Sequence, residues 1–223
     1  MTAPAGWPSR RTSYCPGASR DVSICLTVLG RALAPEVVLR SGASAGDGIY
    51  LGREVGASAA GLHLVLGGQE PLTEADRAQL LEAHLQPRPQ LELGRLLGKR
   101  RLASAMIDVS DGVLQDLGHI CLASSVGAEV DADALPLVPA ACRLAGLAGQ
   151  DAIDWGLTGG EDYCLLFCVP AALEAQARDL CQAELGLAIQ RIGQIEPGTG
   201  VRVRRAGTVV EAGQGGWDHF SSD

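Results

Sequence analysis

Two aspartates and a serine lie within four consecutive positions of the stretch IDVSDG, residues 107–112. An apolar, strand-like run ends at Asp108, and a helix-like pattern begins near Gly112. Carboxylates on both sides of such a turn converge on one side of it, where oxygen ligands suit Mg²⁺. The free amides of a helix start also favour an adjacent phosphate. The alternative is that Ser110 or Asp111 is an ordinary helix cap, so these residues alone predict either a metal and phosphate site or a capped turn.

A second turn, LTGGEDY at residues 157–163, carries two glycines and two acids directly before a strongly apolar run. Glycines let a backbone approach a ligand closely, which makes Glu161 a candidate for ligand binding. An ordinary glycine turn with solvated acids is the alternative. Arg40 precedes a glycine-rich turn and is either a bidentate donor to a phosphate or a solvated surface residue.

The C-terminal stretch GGWDHF places Trp217 and Phe220 beside His219. An aromatic ring there is suited to stack on a flat heteroaromatic ligand, and the alternative is a tail that these rings hold against the domain. His219 and His119 lack the spacing of metal ligands. The small residues of GASAAG, positions 56–61, lack the spacing of phosphate loops and indicate close helix packing instead.

The hydrophobic pattern predicts the scaffold that must position these turns. Apolar runs of strand length alternate with helical patterns of ten or more residues, which indicates a layered α/β architecture. Thr73 is the expected N-cap of one helix. Strands are predicted at residues 22–29, 49–53, 104–109, 127–133, 163–169, 188–195, 201–205 and 208–211, and helices at 58–67, 70–84, 90–97, 112–125 and 171–185.

Composition excludes several classes of partner. The formal net charge is −8, which disfavours nucleic acid because a phosphate backbone requires clustered Lys and Arg. No apolar run is long enough to span a bilayer or resembles a secretory signal, so we expect a cytoplasmic protein. The seven cysteines are scattered without a CxxC pair, which favours reduced thiols in the core.

Taken in order, these stretches resemble the thiamine-monophosphate kinase family, related to the aminoimidazole ribonucleotide and selenophosphate synthetases. The resemblance extends from about Cys25 to Phe220 and is strongest in IDVSDG, GGEDY and the terminal GWDHF. Other stretches that carry it are GRALAPEVVLRSGASAGDGIYL, ASAAGL, HLQPRP, SVGAEVDADALPL and IGQI. It implies the C-terminal domain of an aminoimidazole ribonucleotide synthetase-like fold, with a mixed sheet packed against helices.

The resemblance also implies an activity, namely Mg²⁺-dependent transfer of the γ-phosphoryl group of ATP to thiamine monophosphate, giving thiamine diphosphate. Such transfer depends on positioning and charge neutralisation more than on acid–base chemistry, and no further catalytic residue is assigned. The family motifs assign three pairs of residues: Asp108 and Asp111 to Mg²⁺, Arg40 and Ser110 to ATP, and Glu161 and Trp217 to the thiamine phosphate.

The N-terminal part departs from the family pattern. We expect residues 1–30 to be a remnant of the family's ATP-binding domain, a disordered lead-in followed by its last strand, and residues 31–223 to form the C-terminal domain. Gly17 stands where the resemblance implies a metal-binding aspartate, and Ala57 replaces the aspartate of GDSAAGL. The resemblance implies that intact members form homodimers through the N-terminal domain, most of which we expect to be absent from this chain. A catalytically inactive module that binds a nucleotide, thiamine phosphate or a protein partner is therefore the alternative to an active kinase.

Overall fold

The computed structural model describes residues 25–27, 29–30 and 36–211. Strands and helices alternate through the described part of the chain, as the hydrophobic pattern predicts. The strands are β1 (Gly48–Leu51), β2 (Ala105–Asp108), β3 (Gly127–Asp131), β4 (Leu165–Val169), β5 (Gln190–Glu196), β6 (Gly200–Arg205) and β7 (Thr208–Glu211). The helices are α1 (Ala57–Val65), α2 (Glu74–Leu85), α3 (Leu91–Lys99), α4 (Val113–Ser124), α5 (Pro139–Ala148), α6 (Ala152–Thr158) and α7 (Glu174–Leu185).

The seven strands form one mixed sheet in the order β2-β4-β1-β5-β3-β6-β7. Strands β3 and β6 pair in parallel, and the other neighbours are antiparallel. Side chains alternate between the two faces of the sheet: Ile49 and Leu51 belong to one core cluster, whereas Tyr50 belongs to the other. The predicted α/β fold with a mixed sheet is confirmed.

Helices cover both faces of the sheet. On one face, α4 and α6 contribute Val113, Leu117 and Leu157 to a core shared with the strands β1 to β6. On the other face, α3 and α7 enclose the stacked rings of Tyr50 and Phe167, whose centroids are 5.9 Å apart. A third cluster joins α1, α2 and α5.

Helices α1 and α2 approach each other closely at Gly61. A Cβ atom at this position would lie 2.2 Å from the Leu80 carbonyl oxygen and 2.7 Å from the His84 Cβ atom, closer than packed atoms can stand. The small-residue stretch at positions 56–61 is thus a helix-packing surface, as predicted. Thr73 caps α2, because its side chain accepts a hydrogen bond from the Asp76 N–H.

Several predicted boundaries are wrong, and two helices were not predicted. Helix α2 begins at Glu74 rather than residue 70, behind Pro71 and the Thr73 cap. Helices α5 and α6 lie in a region for which the hydrophobic pattern predicts neither helix nor strand. Of the strand predicted at residues 22–29, the described positions 25–27 and 29 lie outside regular secondary structure. The division between residues 1–30 and 31–223 stays a prediction.

The cysteines follow the prediction in the described part of the chain. Four are buried, Cys121, Cys164, Cys168 and Cys181, whereas Cys25 and Cys142 are exposed, and all six are free thiols. Among the described residues, no helix combines the length and the apolar character needed to cross a membrane.

Candidate functional site

The two turns that the sequence singled out meet where β2 ends and β4 begins. The Glu161 N–H donates to the Ser110 carbonyl oxygen at 2.9 Å, and the Tyr163 N–H donates to the Val109 carbonyl oxygen at 2.9 Å. Gly160 permits this approach, because a Cβ atom there would lie 2.4 Å from the Ser110 carbonyl oxygen. Gly160 therefore serves the contact between the two turns.

Asp116, in the first turn of α4, holds the IDVSDG turn in place. Its carboxylate accepts hydrogen bonds from the Ser110 N–H at 2.9 Å and the Asp111 N–H at 3.0 Å, and the residue is 1% exposed. Burial raises the pKa of this carboxyl, and the neighbouring Asp111 and Asp108 carboxylates add to the rise. The N-cap of α4 is Gly112, so the alternative in which Ser110 or Asp111 is the N-cap is wrong.

Three candidate carboxylates surround Tyr163. Asp108 is exposed, Asp111 is half-buried, and the Glu161 side chain is 54% exposed. Burial raises the pKa of the Tyr163 hydroxyl, and the negative charges of Glu161, Asp108 and Asp111 raise it further. The fold thus brings the metal-binding and substrate-binding candidates of the two turns to one location.

The carboxylate-rich turn fits a hard divalent cation. In the described part of the chain, Asp111, Asp116 and His119 offer ligand atoms that all lie within 4.8 Å of one another, a grouping that the sequence spacing of His119 did not predict. Asp108 adds a further carboxylate beside them. Carboxylate oxygens are the ligands that Mg²⁺ selects, so the residues present suit this ion.

Asp162, next to Glu161, points away from solvent and binds the start of α1. It is 8% exposed, and its carboxylate accepts from the Gly56 N–H at 2.8 Å and the Ser58 N–H at 3.1 Å. Burial raises its pKa to about 6, although these N–H donors and the Arg53 guanidinium act in the opposite direction. The alternative of two solvated acids is therefore wrong for Asp162.

The backbone of this turn is strained. Glu161 has a φ of 65° and Tyr163 a φ of 46°, in the left-handed region that side chains other than glycine seldom adopt. Arg53 stabilises the arrangement, because its guanidinium donates to the Asp162 carbonyl oxygen at 2.9 Å and to the Tyr163 carbonyl oxygen at 3.2 Å.

Arg40 is not beside Ser110. The preceding carbonyl, of Leu39, accepts from the Met106 N–H in β2, and the Arg40 carbonyl accepts from the Ser124 hydroxyl at the end of α4. Helix α4 has 12 residues, which at ~1.5 Å per residue separates its ends by about 16 Å. The Arg40 backbone thus lies near the far end of α4 from Asp111, and its side chain is exposed.

The remaining predicted positions, Trp217 and Gly17, lie outside the described residues. Asp116, Ser58 and His84 are not among the residues predicted from the sequence. Asp116 has a recognisable signal, an acidic residue in the first helical turn after a polar loop. Ser58 and His84 carry none, because their contacts join elements far apart in the sequence.

A mixed sheet with helices on both faces, and two glycine- and aspartate-containing turns joined at one end of it, define an α/β domain with an acidic site built from loops. The chain belongs to the family of AIR synthase related proteins, because the model of their C-terminal domain matches residues 44–206.

Relatives within this family agree with the resemblance noted in the sequence. The thiamine-monophosphate kinase of Salmonella typhimurium is 41% identical over 202 residues, covering 90% of this chain and 61% of that protein. The crystal structure of thiamine-monophosphate kinase from Stenotrophomonas maltophilia K279a is 38% identical, with a TM-score of 0.70 over 76% of this chain and 54% of the other.

A further solved structure, AaThiL complexed with AMPPCP and TMP, is 32% identical and has a TM-score of 0.68. The similarity covers 82% of this chain and 54% of that one. The chain therefore spans only about half to three fifths of the length of the relatives that it matches.

Proposed function

We propose that the chain functions in an ATP-dependent phosphotransferase that converts thiamine monophosphate into thiamine diphosphate, in the cytoplasm. In this reaction a phosphate oxygen of thiamine monophosphate attacks the γ-phosphorus of ATP. The bond from that phosphorus to the β,γ-bridging oxygen breaks, and ADP leaves. The homodimer of the intact family is part of the same proposal.

One observation supports this proposal above the others, the direct contact between the IDVSDG and GGEDY turns. The hydrogen bond from the Glu161 N–H to the Ser110 carbonyl oxygen places the proposed phosphate-binding turn beside the proposed thiamine-binding turn. Transfer between two bound ligands requires such adjacency, because holding the reactants in position supplies much of the rate enhancement. The names of the relatives support the same reaction.

The charge of the site supports a requirement for Mg²⁺. Asp108 and Asp111 lie close enough to Asp116 to raise its pKa, and Glu161 acts together with them to raise the pKa of the Tyr163 hydroxyl. Two phosphorylated substrates would be repelled by these carboxylates unless cations neutralised the charge. We assign Asp108 and Asp111 to hold Mg²⁺, which, when bound, neutralises charge on the transferred phosphoryl group.

The remaining assignments follow the geometry and the resemblance. Ser110 binds the phosphates of ATP. Arg40 binds the part of ATP that lies farther from the transferred phosphoryl group, since the two residues lie near opposite ends of α4. Glu161 accepts hydrogen bonds from, or pairs with, the cationic side of thiamine monophosphate, and its exposed carboxylate is accessible for this role. Trp217 stacks on the thiamine rings.

The test is formation of thiamine diphosphate by the purified 223-residue chain from thiamine monophosphate and Mg-ATP, measured by chromatography of the fluorescent thiochrome derivatives. We expect Asp111→Asn to abolish Mg²⁺-dependent turnover with the circular dichroism spectrum unchanged. Asp179→Asn is the matched control, because it removes an exposed carboxylate from α7 on the other face of the sheet. Equal turnover by the Asp111 variant and the wild type would contradict the assignment.

A binding module without turnover is the second candidate, and Ala57 favours it. Ala57 occupies a position where the family resemblance implies an aspartate, and it lies at the start of α1 beside the Asp162 hydrogen bonds. In that case the chain would bind thiamine monophosphate or AMPPCP with Mg²⁺ in calorimetry and form no product. Absence of both binding and turnover would contradict both candidates.

A further inference from the structure

His84, in the last turn of α2, contacts the proposed substrate-binding carboxylate. Its Nδ1 atom lies 3.4 Å from the Glu161 Oε2 atom, and its side chain is 14% exposed against 54% for Glu161. The same Nδ1 atom lies 3.0 Å from the Ser58 hydroxyl oxygen. A largely buried imidazole therefore contacts a carboxylate that is open to solvent.

The contacts of His84 fix its position from two sides. The Ser58 N–H donates to Asp162, which is the residue next to Glu161, so Ser58 links the imidazole to the same turn. On the other side, the His84 Cβ atom packs where Gly61 lacks a side chain. The close packing of α1 on α2 thus determines where the imidazole stands.

The chemistry of the groups determines the direction of the contact. A carboxylate has no proton to donate, so an attractive interaction with Glu161 requires a proton on His84 Nδ1. The Ser58 hydroxyl is both a donor and an acceptor, so it is able to accept from the same N–H. His84 is therefore able to direct one N–H towards the Glu161 side chain.

The orientation of the Glu161 side chain depends on a contact with another residue such as His84. More than half of the Glu161 side chain is exposed, and a free glutamate in solvent samples several rotamers, whose loss opposes binding. Its backbone is fixed by the hydrogen bond to Ser110, but this bond does not fix the side chain.

We infer that His84 is a positioning residue, which orients the Glu161 carboxylate for the cationic or N–H-donating side of thiamine monophosphate. The inference rests on the proposed function and extends it. His84 itself acts through Glu161 and does not need to touch the ligand. Loss of the imidazole should therefore weaken binding only while Glu161 is present.

The experiment is a double-mutant cycle on the affinity for thiamine monophosphate, measured by isothermal titration calorimetry on the full chain with Mg²⁺ and AMPPCP present. The variants are His84→Ala, Glu161→Ala and the double variant, each checked for its folded state by circular dichroism and melting temperature. We expect His84→Ala to weaken binding by about fivefold to tenfold and to have no further effect in the Glu161→Ala background.

Two further variants separate positioning from general support of the fold. His84→Asn keeps a donor nitrogen at the place of Nδ1, so it should restore most of the affinity. His63→Ala is the matched control and should leave the affinity unchanged. His63, on α1, forms a comparable pair, with its Nε2 atom 2.8 Å from the Glu70 Oε1 atom.

The outcomes separate this inference from the proposed function. If the wild-type chain binds thiamine monophosphate and the effects of the two single substitutions add, the positioning role is wrong and the proposed function stands. Equal losses in His84→Ala and His63→Ala would also overturn it. If the wild-type chain does not bind thiamine monophosphate at all, the proposed function and the inference fail together.

Discussion

Asp162 is a buried carboxyl group whose titration should be visible in the stability of the protein. Its substitution by asparagine keeps the size of the side chain and imitates the protonated acid, with one carbonyl oxygen still accepting from the start of α1. The variant cannot ionise. The pH dependence of the difference in unfolding free energy between wild type and Asp162→Asn therefore isolates the cost of charging this one group.

The magnitude follows from the pKa. Burial raises the pKa of Asp162 from 3.8 to about 6, and a displacement of one pKa unit corresponds to ~1.4 kcal/mol. At a pH between 3.8 and about 6, Asp162 has lost its proton in the unfolded chain and retains it in the folded chain. The folded state then binds more protons, so wild-type stability falls as the pH rises. Relative to wild type, the variant should gain about 2.5 kcal/mol between pH 4 and pH 7.

The assay is urea unfolding followed by circular dichroism at half-unit steps over this pH range. Asp179→Asn is the control, because it removes an exposed aspartate, and its difference from wild type should stay constant. A constant difference for Asp162→Asn, or one that changes in the opposite direction, would refute the reasoning. The latter would mean that the two N–H donors of α1 and Arg53 outweigh burial and hold the pKa down.

Three further outcomes are expected. Gly160→Ala should destabilise the chain by about 1–3 kcal/mol in urea unfolding, because the new Cβ atom would lie 2.4 Å from the Ser110 carbonyl oxygen. Unaltered stability would show that the IDVSDG and GGEDY turns separate easily. Asp116→Ala should lower the free energy of unfolding by about 2–3 kcal/mol in the same assay, because the backbone N–H groups of Ser110 and Asp111 lose their acceptor. A loss below about 0.5 kcal/mol would mean that water replaces the carboxylate as the acceptor. Ellman's reagent should label Cys142 rapidly and the four buried thiols only after unfolding. Burial keeps those four thiols protonated because it raises their pKa, to about 11 for Cys121. Rapid labelling of the four thiols in the folded protein would contradict their burial.

The sheet and its long helices could be predicted because their signals are local. Continuous apolar runs of strand length indicated β1 and β4, and Thr73 was predicted as a cap of α2 although the predicted helix began at residue 70. Helices α5 and α6 were missed for physical reasons. Helix α5 contains Gly146, and a glycine inside a helix lowers its helix propensity. Helix α6 has only seven residues, too few for a clear period. The proline at the start of α5 and the αL glycine after its end were the available signals.

The candidate site was predictable in its residue types but not in its contacts. The composition of the IDVSDG and GGEDY turns and their order in the chain pointed to Asp108, Asp111 and Glu161. The hydrogen bond between the turns joins residues 51 positions apart, and the contact between His84 and Glu161 joins residues even further apart. Such contacts depend on how helices pack on the sheet, which no short stretch of sequence specifies.

The left-handed backbone at Glu161 has a consequence for how the chain can change over evolutionary time. A glycine would adopt this φ without strain and relieve roughly 1 kcal/mol, so this stabilising change is also one that deletes the carboxylate. Selection for stability alone would therefore favour glycine at position 161. The proposed role of the Glu161 carboxylate in ligand recognition would offset this cost in stability.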